Sequence, residues 1–141
     1  MSMTSKASSA RPISARERRP AVLVVEDDQD VAASITDVVE ERGYRAICVA
    51  NGREALSVLE EERPSLMLVD LFMPIMSGAE FLKVIKGSPE LSEIPRVIVT
   101  AANDPMISVK EDVTVLYKPV DLDALGRLLQ KYCEPHRPRP S

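Results

Sequence analysis

Five short runs rich in β-branched and aliphatic residues recur along the middle of the chain, with polar stretches of helical period between them. The runs are 21–26 (AVLVVE), 45–49 (RAICV), 65–69 (SLMLV), 95–100 (PRVIVT) and 113–117 (VTVLY). Three of the five are almost continuously apolar, as strands buried on both faces are. Between them, 28–42 places Val31, Ile35, Val38 and Val39 on one helix face, and Gly43 offers a stop. Residues 52–62 turn Ala55, Leu56 and Leu59 inward and Glu60 to Glu62 outward, with Pro64 beyond. Residues 78–86 turn Phe81, Leu82 and Ile85 inward before Gly87, and 121–132 open on an Asp cap and align Leu122, Leu125, Leu128 and Leu129. The fourth connection, 101–112, has the weakest period and predicts at most a short helix. This alternation predicts an α/β fold, a doubly wound five-stranded parallel sheet with helices on both faces and right-handed crossovers.

At 141 residues there is room for one sizeable core and not two. The longest apolar run, Ala21 to Val25, is too short for a membrane span or a signal peptide, so a cytoplasmic protein with no membrane contact is expected. Cys48 and Cys133 form no zinc spacing or disulfide framework and read as reduced thiols. Residues 1–20, rich in Ser, Ala, Arg and Pro, and 134–141 (EPHRPRPS) lack apolar period and are expected to be disordered around a domain at 21–133. Residues 1–19 carry a net charge of +4 and 134–141 a net +1, which leaves −9 on 20–133 out of the total of −4. So acidic a core repels a phosphate backbone, and direct DNA binding by it is disfavoured. The only histidine, His136, lies in the proline-rich end, so the chain does not read as a histidine phosphodonor.

In open α/β sheets the working crevice lies outside the carboxyl ends of the strands. The first strand ends there in Glu26-Asp27-Asp28, the third in Asp70, the fourth in Thr100 and the fifth in Lys118-Pro119. Clustered carboxylates repel one another unless a cation neutralises them, and hard oxygen donors with few fixed positions suit Mg²⁺. A lysine beside such a site can hold a phosphoryl oxygen as a point charge. The residues therefore read as a Mg²⁺-dependent phosphate site. Asp70, Lys118 or Thr100 alone would pass as a turn cap, a surface charge or a strand residue. Nothing structural, however, asks for all of them at corresponding strand ends.

The segments VLVVEDD (22–28), LMLVDLFMPIMSG (66–78), VIVTAA (97–102) and LYKPV (116–120) occur in that order. Over about 21–133 the chain thereby resembles the receiver domain of two-component response regulators. The resemblance implies the flavodoxin-like strand order 2-1-3-4-5, which the sequence itself does not show. It implies Asp70 as phosphoacceptor, with Thr100 and Lys118 contacting the phosphoryl group. It implies Mg²⁺ on Asp27, Asp70 and the Phe72 carbonyl, with Glu26 acting through a water. It also implies a cis Lys118–Pro119 bond and Asp28 as the cap of the first helix. The implied partners are a histidine kinase or histidine phosphotransfer protein as donor and a downstream protein effector, since eight residues after the last helix are too few for an output domain. Such a domain phosphorylates itself rather than turning over a substrate.

Two departures from the family pattern bear on output. The interval from Thr100 to Lys118 is 18 positions, which implies a shortened fourth helix, and the usual switch aromatic three residues before the lysine is Val115. Tyr117, on the same strand face as Val115, is a candidate replacement. One rival is a receiver-fold interaction module that works without phosphorylation. Another, a hydrolase of the haloacid-dehalogenase type, needs a second Asp two places after its nucleophile, where this chain has Phe72. Nucleotide-binding glycine loops are absent from the sequence.

Overall fold

Alternation along the buried strands decides the layering. In the computed structural model, which describes residues 19–101 and 114–133, Val22 and Val24 face one side of the first strand and Leu23 and Val25 the other. The elements are β1 (Ala21–Val25), α1 (Gln29–Glu41), β2 (Arg45–Val49), α2 (Gly52–Leu59), β3 (Leu66–Val69), α3 (Gly78–Lys86), a 3-10 turn at Leu91–Glu93, β4 (Arg96–Ala101), β5 (Thr114–Lys118) and α4 (Leu122–Cys133). The strands form one parallel sheet in the order β2-β1-β3-β4-β5, as expected, with Val25 level with both Val49 and Val69. Apart from Arg19, Pro20 and Ala101, the residues of the expected disorder at 1–20 and 134–141 and of the short helix expected in 101–112 fall outside the described residues.

Two apolar clusters sandwich the sheet. Ile35 and Val39 of α1 and Leu125, Leu129 and Cys133 of α4 pack on Val22, Val24, Leu66, Leu68, Val97 and Val99. Ala55 and Leu59 of α2 and Phe81 and Ile85 of α3 pack on Leu23, Val25, Met67 and Val69, with Met73 and Met76 against them. Burying one such aliphatic side chain is worth ~1.5–3 kcal/mol. The central strands are thus fixed on both faces, and their carboxyl ends are rigid mounts. Neither cysteine is in a disulfide, and Cys133 is buried while Cys48 is exposed.

Helix ends follow their capping residues. Asp28 accepts from the N–H groups of Asp30 and Val31, as expected of a cap. Gly43, at φ +90°, closes α1 as the N–H groups of Gly43 and Tyr44 reach back to the carbonyls of Glu40 and Val39. The second helix stops at Leu59, three residues before the expected end at 62. Pro64 disfavours helical backbone at Arg63, and three adjacent glutamates gain nothing at the negative end of a helix dipole.

Candidate functional site

The chain reverses direction across the sheet between β1 and β3, the pair whose connections leave toward opposite edges. A crevice opens at such a point, and here its walls are acidic. Glu26 and Asp70 directly follow the two strands, and their backbone N–H groups still bond across the sheet to the carbonyls of Val49 and Val25. Carboxylate oxygens of Glu26, Asp27 and Asp70 lie within 4.8 Å of one another. Glu26 and Asp70 are buried, whereas Asp27 opens to solvent.

Lys118, the last residue of β5, reaches back over this group. Its Nζ lies 3.1 Å from Glu26 Oε1, donates to Glu26 Oε2 at 3.3 Å, and is 3.5 Å from Asp70 Oδ2. The following Lys118–Pro119 bond is cis, as the resemblance implied. Thr100 is buried in β4 one residue before its end, level with Tyr117 of β5. Tyr117 is half exposed on the edge strand, and the connection it would border lies outside the described residues. Phe72 joins the site through its backbone. Its N–H donates to Asp70 Oδ1 at 3.3 Å while the residue as a whole is 56% exposed. All the residues named from the sequence therefore lie at one end of the sheet.

Electrostatics match this crowding. Burial pushes the Glu26 carboxyl up to about 7 and the Asp70 charge adds to the rise, against the Asp28 N–H and Lys118, which pull it down. Lys118 is itself desolvated, but bonding to Glu26 and the nearby Asp70 charge outweigh this and hold it above its ordinary value. A carboxyl raised on folding stabilises the fold fully below its ordinary value of about 4.5, and that stability is lost as pH rises through about 7. Urea midpoints of the metal-free protein should therefore fall between pH 5 and pH 8. Glu26→Gln should flatten that fall, and an unchanged slope would show that Glu26 titrates in its ordinary range.

The loop from Asp70 to α3 holds a feature the sequence did not announce. Ile75 has φ +71°, a conformation rare for a β-branched residue that costs ~1–3 kcal/mol. A glycine or asparagine there would have signalled the turn. Gly78, by contrast, was legible as part of the motif, and the structure gives its reason. A Cβ at 78 would stand 1.8 Å from the Asp70 carbonyl oxygen, so the segment at Asp70 and the start of α3 touch backbone to backbone.

A parallel sheet of this order, with three acids, a threonine and a lysine at its carboxyl end, defines a two-component receiver. The chain belongs to the response regulator receiver domain family, whose pattern residues 22–130 match. It is 32% identical over 116 residues to sporulation initiation phosphotransferase F of Bacillus subtilis (strain 168), covering 79% of this chain and 91% of that protein. It is 41% identical over 80 residues to the polar-differentiation response regulator DivK of Brucella anthropi, covering 57% of this chain and 65% of that protein. The signal receiver domain of a signal transduction histidine kinase from Syntrophus aciditrophicus superposes with a TM-score of 0.74 at 30% identity, over 86% of this chain and 96% of that one. No described helix is long and apolar enough to cross a membrane.

Proposed function

We propose that the chain accepts a phosphoryl group on Asp70 from a phosphohistidine of a kinase or phosphotransfer protein, and signals through a protein partner in the cytoplasm. The observation that carries this reading is the buried Asp70 carboxylate, set within 4.8 Å of two further acids and 3.5 Å from a lysine amine. A merely structural carboxylate gains nothing from two further acids at that distance. The kinship with a protein named as a phosphotransferase supports the same reading.

The residues fit a Mg²⁺ ion. Glu26 Oε1 is buried and accepts no hydrogen bond, although Lys118 lies close by, and the donor set is all oxygen. Asp27, Asp70 and the Phe72 carbonyl would hold the ion directly, and Glu26 through a water. When bound, Mg²⁺ supplies positive charge to the phosphoryl oxygens. The Phe72 N–H and Lys118 each take one oxygen of Asp70 and so aim its carboxylate. In transfer, a bond forms between phosphorus and an Asp70 oxygen as the P–N bond of the donor breaks. The electron pair stays on the imidazole nitrogen, which takes a proton from solvent. Lys118 then follows the new negative charge, and the Thr100 hydroxyl donates to the phosphoryl group. That movement biases a two-state equilibrium read by the partner.

Incubation with acetyl phosphate and Mg²⁺ should add one phosphate by intact mass, and chelation of the metal should prevent it. Asp27→Asn should weaken Mg²⁺ binding about tenfold or more, as loss of one charged ligand from a small site does, measured by calorimetry. Phosphate uptake that ignores both the metal and Asp27 would refute this reading. Absence of uptake would leave a receiver fold that acts by docking alone.

A further inference from the structure

Among the described residues five large apolar side chains are exposed, and two of them, Phe72 and Ile75, sit in the one loop that follows Asp70. Ile75 is 73% exposed and also holds φ +71°. An isoleucine there gains no burial, and it carries backbone strain that glycine or asparagine would avoid. Residue 75 does not set that backbone. The Met76 carbonyl accepts the Gly52 N–H at 2.8 Å, and the Leu71 carbonyl accepts the Gly78 N–H at 3.0 Å. The loop is thus held from outside, and the identity of the side chain is a separate matter. A side chain unfavourable on both counts in the free protein recovers the loss only when something covers it.

We propose that Ile75 is a specificity-determining residue, an apolar seat beside Asp70 for a protein phosphoryl donor. This rests on the phosphoacceptor reading of Asp70. Asp70 is only 6% exposed, so a donor histidine reaches it only if the surface around that histidine settles on the loops framing the site. The loop bearing Ile75 starts at Asp70 itself. A small acyl phosphate enters without touching it. Asp28 and Asp30 at the start of α1, beside the site, are exposed and acidic, so the donor surface that fits pairs an apolar patch with basic side chains around its histidine.

The test compares two donors on the full chain: acetyl phosphate, and the autophosphorylated catalytic cores of a panel of bacterial histidine kinases. At least one core should phosphorylate the wild type. Ile75→Asn should slow that transfer tenfold or more, and Ile75→Leu, which keeps the apolar contact, should stay within threefold. Labelling by acetyl phosphate should stay within twofold in both variants, and Ile75→Asn should melt at a higher temperature than the wild type. Undiminished transfer to Ile75→Asn overturns the inference. So does an equal loss with both donors, which would make Ile75 a prop for the site's geometry. Labelling of the wild type by acetyl phosphate but by no kinase core overturns it as well. Failure of every donor, acetyl phosphate included, overturns the phosphoacceptor reading and the inference with it.

Discussion

Asp70→Asn should take up no phosphate from acetyl phosphate or from a phosphohistidine donor, and it should melt at the same temperature as the parent chain or above it. The amide keeps the shape of the side chain and its bond from the Phe72 N–H, but it lacks the charged oxygen that would attack phosphorus. It also removes one of three crowded acids, and Asp70 is one of the two causes that raise the Glu26 carboxyl. Glu26 in the variant should therefore ionise at lower pH and keep its pair with Lys118. The expected loss is total in intact mass, with no loss in thermal unfolding. Persistent uptake of one phosphate in Asp70→Asn would move the acceptor to another residue.

Gly78→Ala should cost both fold and function. The added methyl would meet the Asp70 carbonyl oxygen at 1.8 Å, the Asp70 carbonyl carbon at 2.7 Å and Leu71 Cα at 2.9 Å. All three are backbone atoms, so no side chain can swing away. Overpacking of this kind costs ~1–3 kcal/mol or more, which for a domain of this size lowers the melting temperature by roughly 5–15 °C. The loop can relax only by moving Asp70, so phosphorylation should fall by at least an order of magnitude in the folded fraction. Gly87→Ala is the control, since its Cβ would lie 3.5 Å from the Val84 carbonyl oxygen, an ordinary contact. If Gly78→Ala behaves like Gly87→Ala, the close approach at Asp70 is not a constraint on the loop.

Much of this was legible in the sequence, for identifiable reasons. The strands announced themselves because a chain such as AVLVV has no other soluble use than burial on both faces. The site residues stood out because Glu26, Asp27, Asp70 and Lys118 interrupt apolar runs where the strands end. Strand order did not follow from the residues, because the apolar runs are too alike to choose their neighbours. That order came with the family likeness. Ile75 was illegible because its residue type argues against the backbone it adopts, and only the bonds from Gly52 and Gly78 reveal what holds the turn. The end of α2 was misplaced because amphipathic period continues past Leu59, while the local chemistry of Arg63-Pro64 and the glutamates does not support another turn.

The reach of Lys118 to Glu26 spans 92 positions of the chain. Every acid of the site leaves the ribosome before the amine that reaches Glu26 and Asp70. A nascent or partly unravelled molecule, with β1 and β3 paired but its last strand still loose, holds three close carboxylates and no counter-charge. Such a molecule gathers its own electrostatic stress and makes a poor recipient for a further anion. Docking of the outermost strand both completes the sheet and brings Lys118 to the acids, so an assembled site doubles as a certificate that the whole domain has been built.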